Sequence, residues 1–173
     1  MELNYKKVES FLKAPVPQDI EDEILGAYAT YNLERDMRSE DLRNYFESLQ
    51  LPRELYKMVG KSDLTVEGTD VVDFERLLRC TYHLLVFMDN EQIIDEMWGL
   101  LVQASGRDQS FPNVKLRDHV LSIKDLQKVS NFVGIDRASG IVEMISCATS
   151  GKRVYMTYLD FAYVMGKLGY LRF

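Results

Sequence analysis

The chain has 173 residues, of which 46% are hydrophobic and 28% are charged, a balance typical of folded globular proteins. Its formal net charge of −6 argues against a protein that works by gripping the nucleic-acid backbone, because that affinity comes from clustered lysine and arginine. No apolar run approaches the roughly 20 residues of a membrane-spanning helix, and the first residues lack the layout of a secretory signal. We therefore expect a soluble, intracellular protein of one domain or two small lobes.

Residues 1–18 predict an N-terminal extension, because they combine Pro15 and Pro17 with only a weak stripe of apolar side chains. We expect this extension to pack on the body of the protein or on a partner. From residue 19 the pattern is that of an amphipathic helix, whose apolar face is formed by Ile20, Ile24, Tyr28 and Tyr31. A loop follows at 32–41, where Ser39 is expected to cap the next helix. The apolar face of that helix is formed by Leu42, Tyr45, Phe46 and Leu49.

A second helix-loop-helix unit follows Pro52. Its first helix is predicted to include Leu55, Met58 and Val59, and a loop from about Asp63 turns at Gly68. Its second helix begins near Phe74 and continues as an apolar connector into the second half of the chain. This connector is too apolar to be an isolated helix surrounded by solvent. We predict that Leu84, Leu85, Phe87 or Met88 is covered, either by packing of the two halves against each other or by a partner.

The second half contains two further units of the same kind. The third has helices predicted around 94–101 and 126–133, separated by a long insertion at about 104–120. Loops of this length are uncommon in compact domains and are often functional, although a solvated excursion with Phe111 packed on the body is the alternative. In the fourth unit, a stretch of twelve residues from Thr149 to Asp160 separates the two helices.

The four units recur at a regular spacing. The last polar residues of their second-helix openings, Asp41, Arg76, Asp125 and Asp160, lie 35, 49 and 35 residues apart. Such a period indicates a repeated helix-loop-helix unit, which must pack against a neighbour to bury its apolar face. We therefore predict an N-terminal lobe at 19–88 and a C-terminal lobe at 89–173.

The fourth unit resembles the last EF-hand of calmodulin and centrin in its first helix, its loop length and its second helix. The resemblance extends over all four units, although the second loop is about two residues longer, the first about two shorter and the third about ten longer. It implies an all-α, calmodulin/centrin-like fold of four degenerate EF-hands in two lobes. Short two-residue strands are expected to pair the loops through the backbone at Met37, Val72, Leu121 and Met156.

The loops lack the calcium ligands that an EF-hand requires. A calcium-binding loop supplies oxygen ligands from its first, third and fifth residues and a bidentate acid from its twelfth. In the fourth loop Gly151 and Arg153 stand at the third and fifth places, and in the second loop Arg76 replaces the final acid. We predict that the protein binds no calcium and needs no other metal or cofactor.

Four residues with reactive side chains are not expected to be catalytic. His83 and His119 have no serine, cysteine or carboxylate in a recognisable catalytic arrangement with them. Cys80 and Cys147 lack a partner at metal-ligand spacing and are predicted to be buried free thiols. The sequence therefore favours a protein that is not an enzyme.

The apolar residues of the C-terminal lobe predict a groove for an amphipathic partner helix. Plain core packing is the alternative, and it must apply to several of them, such as Ile145 and Phe161. The predicted groove consists of Leu101, Leu126, Val129, Met144, Ile145, Phe161, Val164, Met165 and Leu168.

A more specific resemblance covers the chain from about residue 17 to its end. The stretches 67–74, 116–122, 124–128, 147–153 and 157–161 are similar to the small centrin-related accessory proteins of yeast nucleotide excision repair. This resemblance implies a nuclear adaptor that binds a C-terminal helix of the repair damage sensor, without direct contact to nucleic acid or membrane. The alternative is a calmodulin-like light chain that binds an amphipathic helix of another protein, such as a motor.

Overall fold

A computed structural model describes residues 5–134 and 140–173. The prediction of an all-α protein is confirmed, since these ranges are mostly helical and contain only two short strands, β1 (Leu121–Ser122) and β2 (Tyr155–Met156). No helix in them is long and apolar enough to cross a membrane. The α-helices of these ranges are α1 (Tyr5–Leu12), α2 (Gln18–Tyr31), α3 (Leu42–Ser48), α4 (Arg53–Tyr56), α5 (Phe74–Asp89), α6 (Glu91–Ser105), α7 (Arg107–Ser110), α8 (Ile123–Phe132), α9 (Ile141–Thr149) and α10 (Tyr158–Lys167).

The described chain divides into two compact units. The N-terminal unit comprises Lys13–Asp89 together with Phe173, and the C-terminal unit comprises Asn90–Arg172 together with α1. The predicted extension at 1–18 is thus divided, because α1 belongs to the C-terminal unit and the residues after it belong to the N-terminal unit. The expectations about residues 1–4 lie outside the described ranges.

In the N-terminal unit, α2 packs against α5 and the loops before α3 and α5 meet through their backbones. The rings of Tyr28 and Phe74 join the two helices, with centroids 4.9 Å apart. Between the loops, the amide of Val72 donates to the carbonyl of Met37 at 2.8 Å. The apolar loop positions predict this backbone pairing, but it consists of isolated bridges rather than the expected two-residue strands. The pairing fixes the register of the two helix-loop-helix units.

Two local predictions in this unit are wrong. The N-cap of α3 is Asp41 rather than Ser39, because the Ser39 amide is held by the Asp70 carbonyl at 2.8 Å in the loop pairing. The Asp41 carboxylate instead accepts from the Arg38 amide at 2.9 Å. The first helix of the second unit is also shorter than its pattern suggests, since α4 ends at Tyr56.

The connector prediction is confirmed. The end of α5 is covered at Leu84 and Phe87, whose exposed fractions are 0% and 1%. Leu85 and Met88 are half-buried. A helix of this composition therefore contributes its apolar side chains to a core rather than to solvent.

In the C-terminal unit, α6, α8, α9 and α10 pack around Trp98, which is fully buried. The Trp98 ring lies 5.5 Å from that of Phe161. Strands β1 and β2 are antiparallel and pair Leu121 with Met156, in the register that the loop positions predict. The pairing brings the starts of α8 and α10 side by side.

The helix of the N-terminal extension, α1, packs against α10. Phe11 is 1% exposed and meets the Tyr163 ring edge-on with centroids 6.2 Å apart. The packing requires glycine at 166, where a methyl group would overlap the Phe11 ring. The helical period places Tyr163 and Gly166 on the opposite side of α10 from Val164 and Leu168. The extension therefore covers one side of α10 and leaves the other side to the predicted groove.

The expectation that both thiols are buried is wrong for Cys147. Cys80 is buried, but Cys147 is exposed. The reason is helical phase, because Cys147 lies away from the face of α9 that buries Ile141, Ile145 and Ala148.

Gly166→Ala tests the contact between α1 and α10. We expect the Phe11 ring to be displaced, which weakens the docking of α1 by about 1–3 kcal/mol. Amide hydrogen exchange in Tyr5–Leu12 should accelerate accordingly.

Gly26→Ala is the matched control, because a methyl group on this α2 glycine would meet nothing within 4 Å. Its expected effect is a stabilisation of about 0.5–1 kcal/mol, since alanine favours the helix. Unchanged protection of α1 in Gly166→Ala would show that Phe11 does not hold it.

Candidate functional site

The fourth loop is closed by an internal ion pair. The Arg153 guanidinium donates from Nη2 to Asp160 Oδ1 at 2.5 Å, and the two side chains are 28% and 10% exposed. The other oxygen of Asp160 accepts from the amide and hydroxyl of Thr157 at 2.9 and 2.8 Å. Thr157 in turn accepts from the Asp160 amide, which completes a capping box at the start of α10. The acid at the twelfth position is thus fully engaged by residues of its own loop.

The third loop repeats this arrangement with a residue from the long insertion. Asp125 forms a capping box with Ser122 at the start of α8, and Arg107 donates to its Oδ2 at 3.3 Å. Burial alone raises the pKa of the Asp125 carboxyl, but the hydrogen bonds from Ser122 and the charge of Arg107 outweigh burial and hold that pKa below its ordinary value. Asp125 is therefore an ionised carboxylate paired with a cation of its own chain.

Arginines also lie across the two loops of the N-terminal unit. Arg76, at the twelfth position of the second loop, donates from Nη1 to the Thr65 carbonyl at 2.9 Å. In the first loop Arg35 forms ion pairs with Glu40 and Asp41 at 3.2 and 3.1 Å. Arg35 is half-exposed, so its ion pairs with Glu40 and Asp41 are more hydrated than the pairs Arg107–Asp125 and Arg153–Asp160.

The calcium ion implied by the EF-hand resemblance does not fit these loops. The described ranges contain no group of three or more histidine, cysteine or acidic side chains able to hold a metal. In the third and fourth loops, the carboxylate oxygens that would face the ion are already bound to a guanidinium. A divalent ion would have to displace this internal cation and would be repelled by it.

The arginines were only partly visible to sequence reasoning. The sequence places Arg76 and Arg153 at ligand positions, where they count against calcium. It does not indicate that Arg153 reaches Asp160, nor that Arg107 reaches across 18 residues to Asp125. A usable signal was an arginine six or seven residues before the final acid in the first and fourth loops.

The structure distributes the residues of the predicted groove over three levels of burial. Leu126, Ile145, Phe161 and Met165 are buried in the core of the C-terminal unit. Leu101, Val129, Val164 and Leu168 are half-buried. Met144 is 65% exposed. Helices α8 and α9, which carry four of the nine, contact each other, and so do α9 and α10.

One apolar stripe of α8 passes from the core to solvent. Leu126 is 9% exposed, Val129 is half-buried and Val133, the C-cap residue that follows α8, is 57% exposed. These residues recur at spacings of three and four, so they lie on one face of the helix. Core packing therefore accounts for the start of the stripe but not for its end, and the same holds for the exposed Met144 beside buried Ile145.

The fold and its loops define an all-α protein of helix-loop-helix units whose loops are bridged by arginine. The sequence profile of a family described as Rad33 matches residues 55–138. The chain is 53% identical over 170 residues to the DNA repair protein RAD33 of Saccharomyces cerevisiae, which covers 98% of this chain and 96% of that protein. No solved structure matches it. The chain therefore belongs to the Rad33 family.

Arg153→Met tests the internal cation of the fourth loop. The Asp160 carboxylate would lose its charged partner while remaining 10% exposed, so we expect a loss of about 1–3 kcal/mol in the free energy of unfolding. Urea denaturation followed by circular dichroism measures this change.

Arg43→Met provides the comparison, because Arg43 and Glu47 form a solvent-exposed ion pair on α3. This variant should unfold like the unmodified protein. Equal stability of the Arg153 and Arg43 variants would rule out a structural role for the internal cation.

Proposed function

We propose that this protein is a non-catalytic adaptor subunit of the nucleotide excision repair damage-recognition complex. In this role it binds and stabilises a C-terminal helix of the damage sensor, independently of calcium. Membership of the Rad33 family and 53% identity to a yeast DNA repair protein support a role in DNA repair, and with it a nuclear location. The proposed partner follows from the resemblance to centrin-related accessory proteins of that pathway.

The observation that carries the proposal is the apolar surface left uncovered on the C-terminal unit. The apolar stripe of Leu126, Val129 and Val133 runs from the core of the C-terminal unit to solvent. Met144 is exposed on α9, which contacts α8. Helix-in-groove recognition uses anchors of this kind, because an amphipathic partner helix inserts large side chains at matching intervals. Methionine suits such a surface, since its flexible side chain adapts to different anchors.

We also infer that each unit is an EF-hand-like lobe. The support is the pairing of two loops between helices in each unit, at Met37 with Val72 and at Leu121 with Met156. In a calcium sensor, ion binding opens such a lobe and exposes the groove. In these loops an arginine of the chain already pairs with the acid that a calcium ion would bind. This supports an adaptor that binds its partner helix constitutively.

The environment of His83 supports a non-catalytic role. His83 and His119 are 3% and 4% exposed. His83 lies within the buried face of α5, where its ring is parallel to that of Phe87 at 6.4 Å. A side chain buried in the protein core has little access to substrate, so His83 is best assigned to packing.

Met144→Asp tests the groove. An aspartate there should weaken binding of the C-terminal helix of the damage sensor by about 30-fold or more, the loss typical of an interface hot spot. The dissociation constant can be measured by fluorescence anisotropy with a labelled peptide of that helix.

Val154→Asp is the control, because Val154 is 72% exposed on the fourth loop and lies outside the predicted groove. Its affinity should match that of the unmodified protein, and circular dichroism should show equal helix content in both variants. Equal affinity of the two variants would refute the groove assignment. Tighter binding of a motor-protein helix than of the sensor helix would favour the light-chain alternative.

A calcium titration tests ion independence separately. We expect no binding heat at calcium concentrations up to about 1 mM and no change of melting temperature on adding a chelator, because only ligands of the folded state shift it. A fall in melting temperature with chelator would contradict calcium independence without bearing on the groove.

A further inference from the structure

The long insertion of the third unit is folded against α6 rather than extended into solvent. The Trp98 indole donates to the Leu116 carbonyl at 2.9 Å. Arg117 binds both oxygens of Asp95, at 2.8 and 2.6 Å, and the Tyr158 hydroxyl donates to the same carboxylate at 2.7 Å. Phe111, in contrast, is 46% exposed beneath the Arg107 guanidinium. The insertion is thus fixed to the unit by polar contacts and not by its own aromatic residue.

An open surface cavity of about 430 Å³ lies between the insertion and α6. This volume is within the range of ordinary ligand sites, about 300–1,000 Å³. Carboxylates of Asp95, Glu96 and Asp108 line it, with no lysine or arginine among the lining residues. Because Asp95 is already neutralised by Arg117, Glu96 and Asp108 are the charges left to attract a ligand. Glu96 accepts only a neutral contact from Gln92, at 3.2 Å.

Two buried polar atoms at this cavity have no partner. His119 is 4% exposed and its Nδ1 atom makes no hydrogen bond, and the same is true of the buried Oδ1 atom of Asp108. An unsatisfied buried polar group costs about 1–3 kcal/mol, so native proteins rarely leave two at one place. In the tautomer with its proton on Nε2, an imidazole presents Nδ1 as an acceptor, and a carboxylate oxygen is likewise an acceptor. Both orphan atoms therefore call for a donor.

We propose that this cavity binds an arginine side chain from a protein segment. A guanidinium carries five N–H donors and a positive charge, so it can pair with the Asp108 carboxylate and also offer a donor to the His119 imidazole. The rim carries exposed Leu100 and Val114, at 59% and 39%, and these can cover the aliphatic stem and the neighbouring apolar residues of such a segment. A freely diffusing amine would leave this apolar rim uncovered.

This site is distinct from the groove of the proposed function. Asp95, Gly99 and Gln103 line the cavity and recur at spacings of four along α6. The helical period places Leu101, the groove residue of this helix, on the opposite side. A basic segment can therefore bind at the cavity while a helix occupies the groove, and loss of one interaction leaves the other measurable.

Nuclear magnetic resonance titration with the peptide acetyl-Leu-Arg-Leu-amide tests the site. We expect shifts of the Gly99, Asp108 and His119 amides and of the His119 Nδ1 resonance, which responds directly to a new hydrogen bond. The peptide with citrulline in place of arginine has the same shape without the charge, and it should bind at least about tenfold more weakly. Equal binding of the two peptides, or no binding at about 10 mM, would overturn the proposal.

Two variants locate the interaction. Asp108→Asn and His119→Phe should each weaken binding of the arginine peptide at least about fivefold. Glu143→Gln, at an exposed position of α9, should leave this affinity unchanged. His119→Phe should melt no lower than the unmodified protein, because it removes an unsatisfied nitrogen and keeps a buried ring. Retained affinity in both variants would exclude the cavity, and displacement of the peptide by spermine at lower concentration would assign the site to a small amine instead.

Discussion

The pairing of arginine with the last acid of a loop is the interaction on which the C-terminal unit depends. Asp125 and Asp160 each cap a helix and each accept from a guanidinium, and the strands between their loops bring the two caps side by side. In calcium-binding loops this positive charge is supplied by an ion from solution. Here the positive charge at the two helix starts is carried by Arg107 and Arg153, which belong to the chain itself.

Fixed loops determine which surfaces of the C-terminal unit remain available. Helix α10 is covered on one side by α1, through Phe11. Its other side faces the apolar core, and Met144 on α9 and Val133 at the end of α8 are exposed at the edge of that core. Helix α6 likewise has two covered faces. One face carries Trp98 in the core, and the folded insertion packs against the polar face. The proposed helix groove and the proposed arginine site follow from this division of each helix into separate faces.

The success of sequence reasoning varied with the range of the interaction involved. Helices and the pairing of Leu121 with Met156 were predictable, because apolar periodicity and loop position are local properties of the chain. The cap of α3 was not, because Ser39 is diverted by a backbone contact to Asp70 that no local pattern contains. Burial of Cys147 was also misjudged, because its apolar sequence neighbours lie on the other face of the helix.

The sequence by itself determined the all-α class, since this class follows from apolar side chains at helical spacing. It also placed Arg76, Gly151 and Arg153 where a calcium-binding loop would have ligands. Only the tertiary structure decided which acids the arginines pair with. Arg107 reaches Asp125 because the long insertion folds back, and the sequence of that insertion shows no periodicity that predicts the contact. The tertiary structure also decided that α1 covers α10 and that Asp108 and His119 line the same cavity. These contacts join segments far apart in the chain, and their formation depends on packing that no single segment encodes.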